Sequence, residues 1–173
     1  AGTKTYSKGV GTYYIWAKDA VGNISSSVKV SVTNIDTTAP TISVSSAPST
    51  SWTSGNKSFT VTASDAGSGI VGYYISTSNT TPPTNGWESS TAGTKTYSKG
   101  VGTYYIWAKD AVGNISSSVK VSVTNIDTTA PTISVSSAPS TSWTSGNKSF
   151  TVTASDAGSG IVGYYISTSN TTP

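Results

Sequence analysis

The side chains that could act in catalysis are restricted in this sequence to those of Lys, Asp, Glu, Tyr and Ser. Of its 173 residues only 7 are Asp or Glu, and none is His or Cys. Without His, the chain lacks the commonest general base and the commonest transition-metal ligand. Without Cys, it has no thiolate nucleophile, no disulfide and no zinc site of the usual kind. We therefore expect a protein that is not an enzyme.

Four oxygen-bearing residues stand where loops are expected. Asp36 lies in a linker, Asp65 opens a Gly-rich loop, and Asp110 and Asn114 bound a turn. Calcium takes six or more oxygen ligands, which two or three carboxylates and backbone carbonyls can supply. The alternative is that Asp65 and Asp110 form Asx-turns within their own loops and that Asp36 only caps the linker. Which of the two holds depends on the elements that position these residues.

The sequence repeats itself with a period of 91 residues, because residues 92–173 are identical to residues 1–82. Internal repetition of this length predicts a tandem array of similar structural units. The carboxylates recur with the same period. The repeat equivalents of the four oxygen-bearing residues are Asp127, Asp156, Asp19 and Asn23.

Apolar residues alternate with hydroxylated ones along several short segments. Phe59, Val61 and Ala63, for example, are interleaved with Ser and Thr. This period of two predicts half-buried strands, and clusters of Gly, Pro, Asn and Asp between the segments predict turns. No helical periodicity is visible. The predicted strands are residues 41–46, 58–64, 70–76, 94–97, 102–109 and 118–124.

Six or seven short strands in one 91-residue repeat predict an all-β, immunoglobulin-like antiparallel β-sandwich, repeated in tandem. The segment 102–106 also fits the Gly-x-Tyr-x-apolar pattern of a tyrosine corner, with Tyr104 at the corner. A closed barrel is the competing architecture. In the sandwich topology the linker before the first strand and the two loops with carboxylates lie at one end. The four oxygen-bearing residues are thus predicted to meet as a calcium site at a repeat junction.

Four segments of the sequence are informative when they are taken together: the linker Asp127–Ile133, the loop Ser64–Ile70, the strand Gly102–Lys109 and the loop Asp110–Ser116. Together they resemble the bacterial Ig-like repeats of large secreted and cell-surface proteins, including adhesins. The resemblance implies a tandem domain in an extracellular or cell-surface protein. Because some large adhesins of that family stiffen their junctions with calcium, it also implies calcium as a cofactor.

The resemblance sets the boundaries of the repeats. A unit of that family begins at the motif Asp-Thr-Thr-Ala-Pro, which here makes residues 36–126 one complete repeat. Residues 1–35 are then the C-terminal half of a preceding repeat, and residues 127–173 the N-terminal half of a following one. Each half alone would expose an unpaired sheet edge. We expect the halves to be completed by neighbouring repeats of a longer chain or by strand complementation between chains, which would build a filament.

These observations predict a non-catalytic structural repeat. It would give length, spacing and mechanical stability to an extracellular bacterial stalk, surface protein or fibre, with neighbouring copies of the repeat as its partners. The alternative is an adhesin or carbohydrate-binding module. In that case Tyr74, Tyr105 and Trp107 would form an exposed aromatic stripe that stacks on host or cell-wall glycans. We favour the interpretation in which the loop around Pro82, Pro83 and Trp87, or lysine stems, cover this stripe.

Two other classes of partner are disfavoured. The 10 basic and 7 acidic residues give a net charge of +3, but the basic residues are dispersed, whereas phosphate recognition gathers them on one face. We therefore predict no nucleic-acid partner. The longest apolar runs, such as residues 104–108, are far shorter than the roughly 18 residues that a membrane helix needs. This segment is predicted to contain no membrane span.

Overall fold

A computed structural model describes residues 2–80, 82 and 84–172, and in this part of the chain every regular element is a β-strand. The all-β prediction is confirmed, and the five strand pairings whose register the structure describes are antiparallel. None of the described residues forms a helix that is long and apolar enough to cross a membrane. The strands are β1 (Gly11–Ile15), β2 (Val28–Val32), β3 (Thr41–Ser46), β4 (Lys57–Ser64), β5 (Ile70–Ser76), β6 (Glu88–Ser89), β7 (Thr94–Lys99), β8 (Gly102–Asp110), β9 (Val119–Val123), β10 (Thr132–Ser137) and β11 (Thr151–Ser155).

The strands form four sheets. Two of these sheets belong to the middle of the chain and have the orders β3-β4-β7 and β6-β5-β8-β9. The other two are hairpin-like pairs near the ends, β1-β2 and β10-β11. The strands predicted within residues 41–124 are all present, which gives this part of the chain β-sandwich character. The repeat boundaries themselves stay predictions.

The chain divides into two compact units, one formed by residues up to 46, 60–95 and 104–120, the other by residues 47–59, 96–103 and from 121 onward. Each unit has its own buried apolar residues. In the first they include Val61, Tyr73 and Ile106, and in the second they include Phe59 and Val123. Burial alternates along β4, where every second side chain is buried, as the period of two predicts.

Copies of the same sequence differ in structure between the middle and the ends of the chain. The pair β10-β11 reproduces the pairing of β3-β4, including the register shift before the last pair. By contrast, residues 3–8 and 161–167 form no strand, although their counterparts are β7 and β5. The elements that are missing at the ends are those whose partner strand belongs to the other half of a repeat.

Candidate carboxylate site

Three carboxylates meet at one place in the first compact unit. Asp65 directly follows β4, Asp110 ends β8, and Asp36 precedes β3. One carboxylate oxygen from each lies within 4.8 Å of the other two. Antiparallel strands bring the end of one beside the start of another, which places residues so distant in sequence in a single cluster.

Asp110 is almost fully buried, and the turn that follows it uses both of its carboxylate oxygens. The backbone amides of Val112, Gly113 and Asn114 donate to Oδ1 at 3.1, 2.7 and 2.7 Å. The Asn114 side-chain amide donates to Oδ2 at 2.7 Å. Asp110 is therefore an Asx-turn residue, and Asn114 directs its amide nitrogen toward the cluster instead of its oxygen.

Asp36 binds the loop that Asp65 opens. Its Oδ2 accepts the amide of Ser68 at 2.8 Å, while its Oδ1 accepts the amide of Thr38 at 3.0 Å. A Cβ at Gly67 would overlap the Asp36 carboxylate, so a glycine is needed for this approach. The bond from the Thr38 amide, followed by those from Ser68, lowers the pKa of Asp36 because they favour the charged carboxylate.

Asp65 combines a turn role with a free oxygen. Its Oδ2 accepts the amides of Gly67 and Gly69 at 2.9 and 2.8 Å. Its Oδ1 is buried and accepts no hydrogen bond from the described residues. A buried carboxylate oxygen without a donor is costly unless a cation or water satisfies it.

The cluster fits calcium in part. Calcium binds oxygen at about 2.3–2.6 Å, so two ligands on opposite sides of the ion lie up to roughly 5 Å apart. The spacing of at most 4.8 Å between the three carboxylates meets this condition, and the free Oδ1 of Asp65 is available. Asn114 in its present orientation would not add a ligand. The calcium prediction thus rests on Asp36, Asp65 and Asp110, with Asn114 as a positioning residue.

The repeat equivalents of the cluster residues lie in two places, with Asp19 and Asn23 near the start of the sequence and Asp127 and Asp156 near its end. Asp19 Oδ1 accepts the Asn23 amide at 2.8 Å, and its Oδ2 accepts the Asn23 side chain at 2.7 Å. Asp127 Oδ2 accepts both the amide and the hydroxyl of Ser159, and Asp156 accepts the amide of Gly158. Hydrogen bonds, from the Asn23 side chain first for Asp19 and from the Ser159 amide first for Asp127, lower the pKa of both carboxyls. Each end therefore carries one part of the cluster.

The predicted aromatic stripe is partly covered. Trp107 is only 5% exposed, whereas Tyr74 and Tyr105 are half-buried. The Tyr74 ring packs against both Trp87 and Trp107, with its centroid 5.8 Å from each. Lys109 Nζ lies 4.8 Å from the centre of the Trp87 ring, a cation–π contact. Pro83, which was predicted to help cover the aromatic stripe together with Pro82 and Trp87, lies outside the described residues.

Two further sites were not predicted from the sequence. Lys57 is buried, and its Nζ donates to the carbonyls of Ser49 and Ser51 at 2.8 Å each. The sequence offered one indication of this burial: Lys57 lies two residues before Phe59 in β4, so both side chains point to the same, inward face of the strand. The other is a set of hydrogen bonds around Asn125, whose φ of 57° is one that Asn adopts more readily than most residues.

Asn125 fixes the linker that leads into the last copy. Its side-chain amide donates to the Thr50 carbonyl at 2.7 Å, and its own carbonyl accepts the Thr53 amide at 3.2 Å. The Asp127 amide in turn donates to the Thr53 carbonyl at 2.9 Å. A parallel bridge between Thr53 and Ile126 results. We call residues 50–53 and 125–127 the junction clamp.

A scan of protein-family models and a search of the curated proteins find no match to this chain. Its function is therefore inferred from the arrangement of its own residues.

Proposed function

We propose that the chain is a stretch of a tandem array of immunoglobulin-like repeats with a structural role. The array gives length, regular spacing and mechanical stability to a bacterial stalk, surface protein or fibre outside the cell. It performs no catalysis, and its partners are neighbouring copies of the same repeat. The observation that carries this proposal is the junction clamp.

The order of the strands supports the immunoglobulin-like part of the proposal. In chain order β3, β4 and β7 correspond to strands A, B and E of that fold, and β5, β8 and β9 to strands C, F and G. The Tyr13 hydroxyl donates to the Gly9 carbonyl at 3.0 Å, four residues upstream. This is the hydrogen bond expected of a tyrosine corner, and Tyr13 is the repeat equivalent of Tyr104.

The junction clamp supports the role in spacing. Hydrogen bonds join the loop of residues 50–53 to both sides of Ile126, so the linker is held as structure and not as a free tether. A linker of a few residues with fixed backbone bonds transmits orientation from one repeat to the next, whereas a Gly/Ser-rich linker would not. Each added copy then extends the array by a constant step, on the order of 40 Å for a repeat whose last segment has about 12 extended residues.

The experiment measures the length of arrays with two, four and eight copies of residues 36–126. We expect the maximum dimension from small-angle X-ray scattering to rise linearly with copy number. Asn125→Ala in every copy removes the side-chain bond and strains the positive φ, and it should bend or shorten the arrays. Asn125→Gly keeps the φ and separates the two effects. A dimension that grows only as the square root of copy number would overturn the proposal.

A carbohydrate-binding role is the second candidate, supported by the partial exposure of Tyr74 and Tyr105. Aromatic faces stack on sugars, but Trp107 has little free surface to offer. A glycan array probed with the wild-type chain and Tyr105→Ala tests this candidate. Binding that Tyr105→Ala abolishes would favour it over the purely structural role.

A further inference from the structure

The loop before β6 contains two neighbouring residues that can react with each other. Asn85 is followed by Gly86, and this is the only Asn-Gly pair in the sequence, because every other Asn precedes Ile, Lys or Thr. The carboxamide carbon of Asn85 and the backbone nitrogen of Gly86 are so few bonds apart that a bond between them closes a five-membered ring. Such closeness within one molecule strongly accelerates a reaction that would be slow between separate molecules.

The structure leaves both reacting groups accessible. Asn85 and Gly86 are exposed. Within the part of the chain that the structure describes, neither the Asn85 side chain nor the Gly86 amide takes part in a hydrogen bond. Gly86 has a φ of 84°, which favours glycine, and it has no Cβ to shield its nitrogen. The Asn85 carboxamide is therefore free to turn toward this nitrogen.

Two other asparagines are held away from the same reaction. The Asn114 side-chain amide donates to Asp110 Oδ2 at 2.7 Å, and the Asn125 side-chain amide donates to the Thr50 carbonyl at 2.7 Å. Both residues are followed by isoleucine, whose branched side chain crowds the backbone nitrogen beside it. They serve as controls within the same molecule.

We propose that Asn85 is a site of spontaneous covalent modification, at which the chain converts itself into aspartate and isoaspartate forms. The Gly86 nitrogen loses its proton and forms a bond to Asn85 Cγ. The bond between Cγ and Nδ2 breaks, and Nδ2 takes up a proton and leaves as ammonia. One water molecule then opens the cyclic imide. Its addition at Cγ gives aspartate, and its addition at the main-chain carbonyl carbon of residue 85 gives isoaspartate.

The position of the loop gives the isoaspartate form a structural consequence. Isoaspartate carries the backbone through the former side chain, which lengthens the backbone by one methylene, or about 1.5 Å. Only Trp87 separates Gly86 from β6, and β6 pairs with β5 over only two residues. So short a segment has little room to absorb the added length, which therefore displaces Trp87 and loosens β6.

Displacement of Trp87 changes the aromatic stripe. The Trp87 ring packs against Tyr74, and Lys109 Nζ lies 4.8 Å from the centre of the Trp87 ring. A Cβ at Gly86 would lie 3.8 Å from the Tyr74 ring, so the loop itself also packs beside this ring. Both products carry a carboxylate that is ionised at neutral pH. The modification thus uncovers Tyr74 and adds a negative charge beside it as the protein ages.

The first test incubates the chain at neutral and at alkaline pH and follows it by peptide mass spectrometry. The peptide with Asn85 should gain about 1 Da, because hydroxyl replaces an amino group, and chromatography should separate two products of this mass. Conversion should be at least about tenfold faster at a pH raised by ~2, because the Gly86 nitrogen must lose its proton. Peptides with Asn114 and Asn125 should keep their mass.

The matched variant is Asn85→Gln, which keeps the carboxamide but would have to close a six-membered ring. It should convert at least about tenfold more slowly. An Asn85 peptide that keeps its mass at both pH values, or conversion of Asn114 and Asn125 at the same rate as Asn85, would overturn the proposal.

A second measurement tests the structural consequence. The Ser90 amide donates to the Val71 carbonyl at 3.0 Å and so reports on the attachment of β6 to β5. Its hydrogen exchange should be at least about tenfold faster in aged wild-type chain than in fresh chain, whereas aged Asn85→Gln should match the fresh chain. Equal exchange in fresh and fully converted wild-type chain would overturn the inferred displacement of Trp87.

Discussion

Residues 70–76 form the strand β5, whereas residues 161–167 have the same seven-residue sequence and form none. The same contrast holds between β7 and residues 3–8. Sequence and local propensity are identical within each pair, so the difference comes from the partner strand. β5 has β8 beside it, whereas residues 161–167 pair with no strand among the described residues.

The hairpin-like pairs behave differently from these strands. β10-β11 and β1-β2 form at the ends although their apolar faces are exposed. Their two strands are close in sequence, so the entropy lost in closing the loop between them is small. Strands that are near in sequence therefore pair even where their apolar faces are exposed, whereas β5 and β7 form beside the more distant strands β8 and β4.

The largest expected difference between identical residues concerns phenylalanine. Phe59→Ala should lower the free energy of unfolding by about 3–5 kcal/mol, because it removes a buried ring and leaves a cavity. Phe150→Ala, the same change at the exposed counterpart, should alter it by less than about 0.5 kcal/mol in dilute solution. Urea unfolding followed by tryptophan fluorescence measures both. Equal losses would contradict the difference in burial.

Calcium should distinguish the complete carboxylate cluster from its parts. If Asp36, Asp65 and Asp110 hold an ion, calcium at a hundred times its Kd stabilises the chain by about 2.7 kcal/mol. Asp110→Asn should abolish this gain, and Asp19→Asn, its matched control in the first copy, should preserve it. Thermal melting with calcium and with a chelator provides the measurement, and identical curves would show that the cluster is only a set of Asx-turns.

The two lysines Lys57 and Lys148 should differ less in their contribution to the free energy of unfolding. Lys57→Ala removes the charged donor of two backbone carbonyls from a buried position and should cost about 2 kcal/mol. Lys148 is exposed, and its Nζ donates to the Ser140 carbonyl. Lys148→Ala should cost less than about 0.5 kcal/mol. Chemical denaturation of both variants decides the matter, and a larger loss from Lys148→Ala would reverse the expectation.

The tyrosine hydroxyl has a still smaller effect. The Tyr73 hydroxyl donates to the Ala92 carbonyl at 2.8 Å, so Tyr73→Phe should cost about 1 kcal/mol. Tyr164→Phe should leave the stability of the dilute chain unchanged. A double-variant measurement by urea unfolding tests whether the two effects add, as expected of independent sites.

Alkaline pH gives the smallest expected effect. Burial raises the pKa of Tyr73, because it disfavours the charged phenolate. The contribution of Tyr73 to stability is therefore full below the unfolded-state pKa of about 10. It is lost as the pH rises through the folded-state pKa, since the unfolded chain ionises first. Tyr73→Phe should reduce the loss of stability between neutral and alkaline pH, and an unchanged pH profile would contradict this origin.

Much of the fold was predictable from the sequence because several strands, such as β4 and β9, have one polar face. The alternation of Phe59, Val61 and Ala63 with Ser and Thr located β4, and Gly-rich turns located its end. The sequence of β5, by contrast, recurs at residues 161–167, where no strand forms. The sequence pattern shows that a segment can form a β-strand, but the strand forms only where a neighbouring strand is present to pair with it.

The site was predictable in outline but not in detail. Each carboxylate follows or precedes a strand, so the topology was enough to bring Asp36, Asp65 and Asp110 together. The orientation of Asn114 depends on hydrogen bonds to Asp110 and Thr38 that no spacing reveals. Likewise, the Tyr74 ring packs against Trp107, a contact that the sequence did not reveal, because strand parity places a side chain on a face without saying what covers that face.

The pairing of β5 with β8 also affects the order of events while the chain is being synthesised. Its paired residues lie 29 to 40 positions apart in sequence. At a synthesis rate of about 5–20 residues per second, β5 waits about 1.5–8 s for its partner to be made. During that interval a nascent chain beside it offers a partner strand of the same sequence. The ribosome spacing on a single messenger would then influence whether a repeat closes on itself or joins its neighbour.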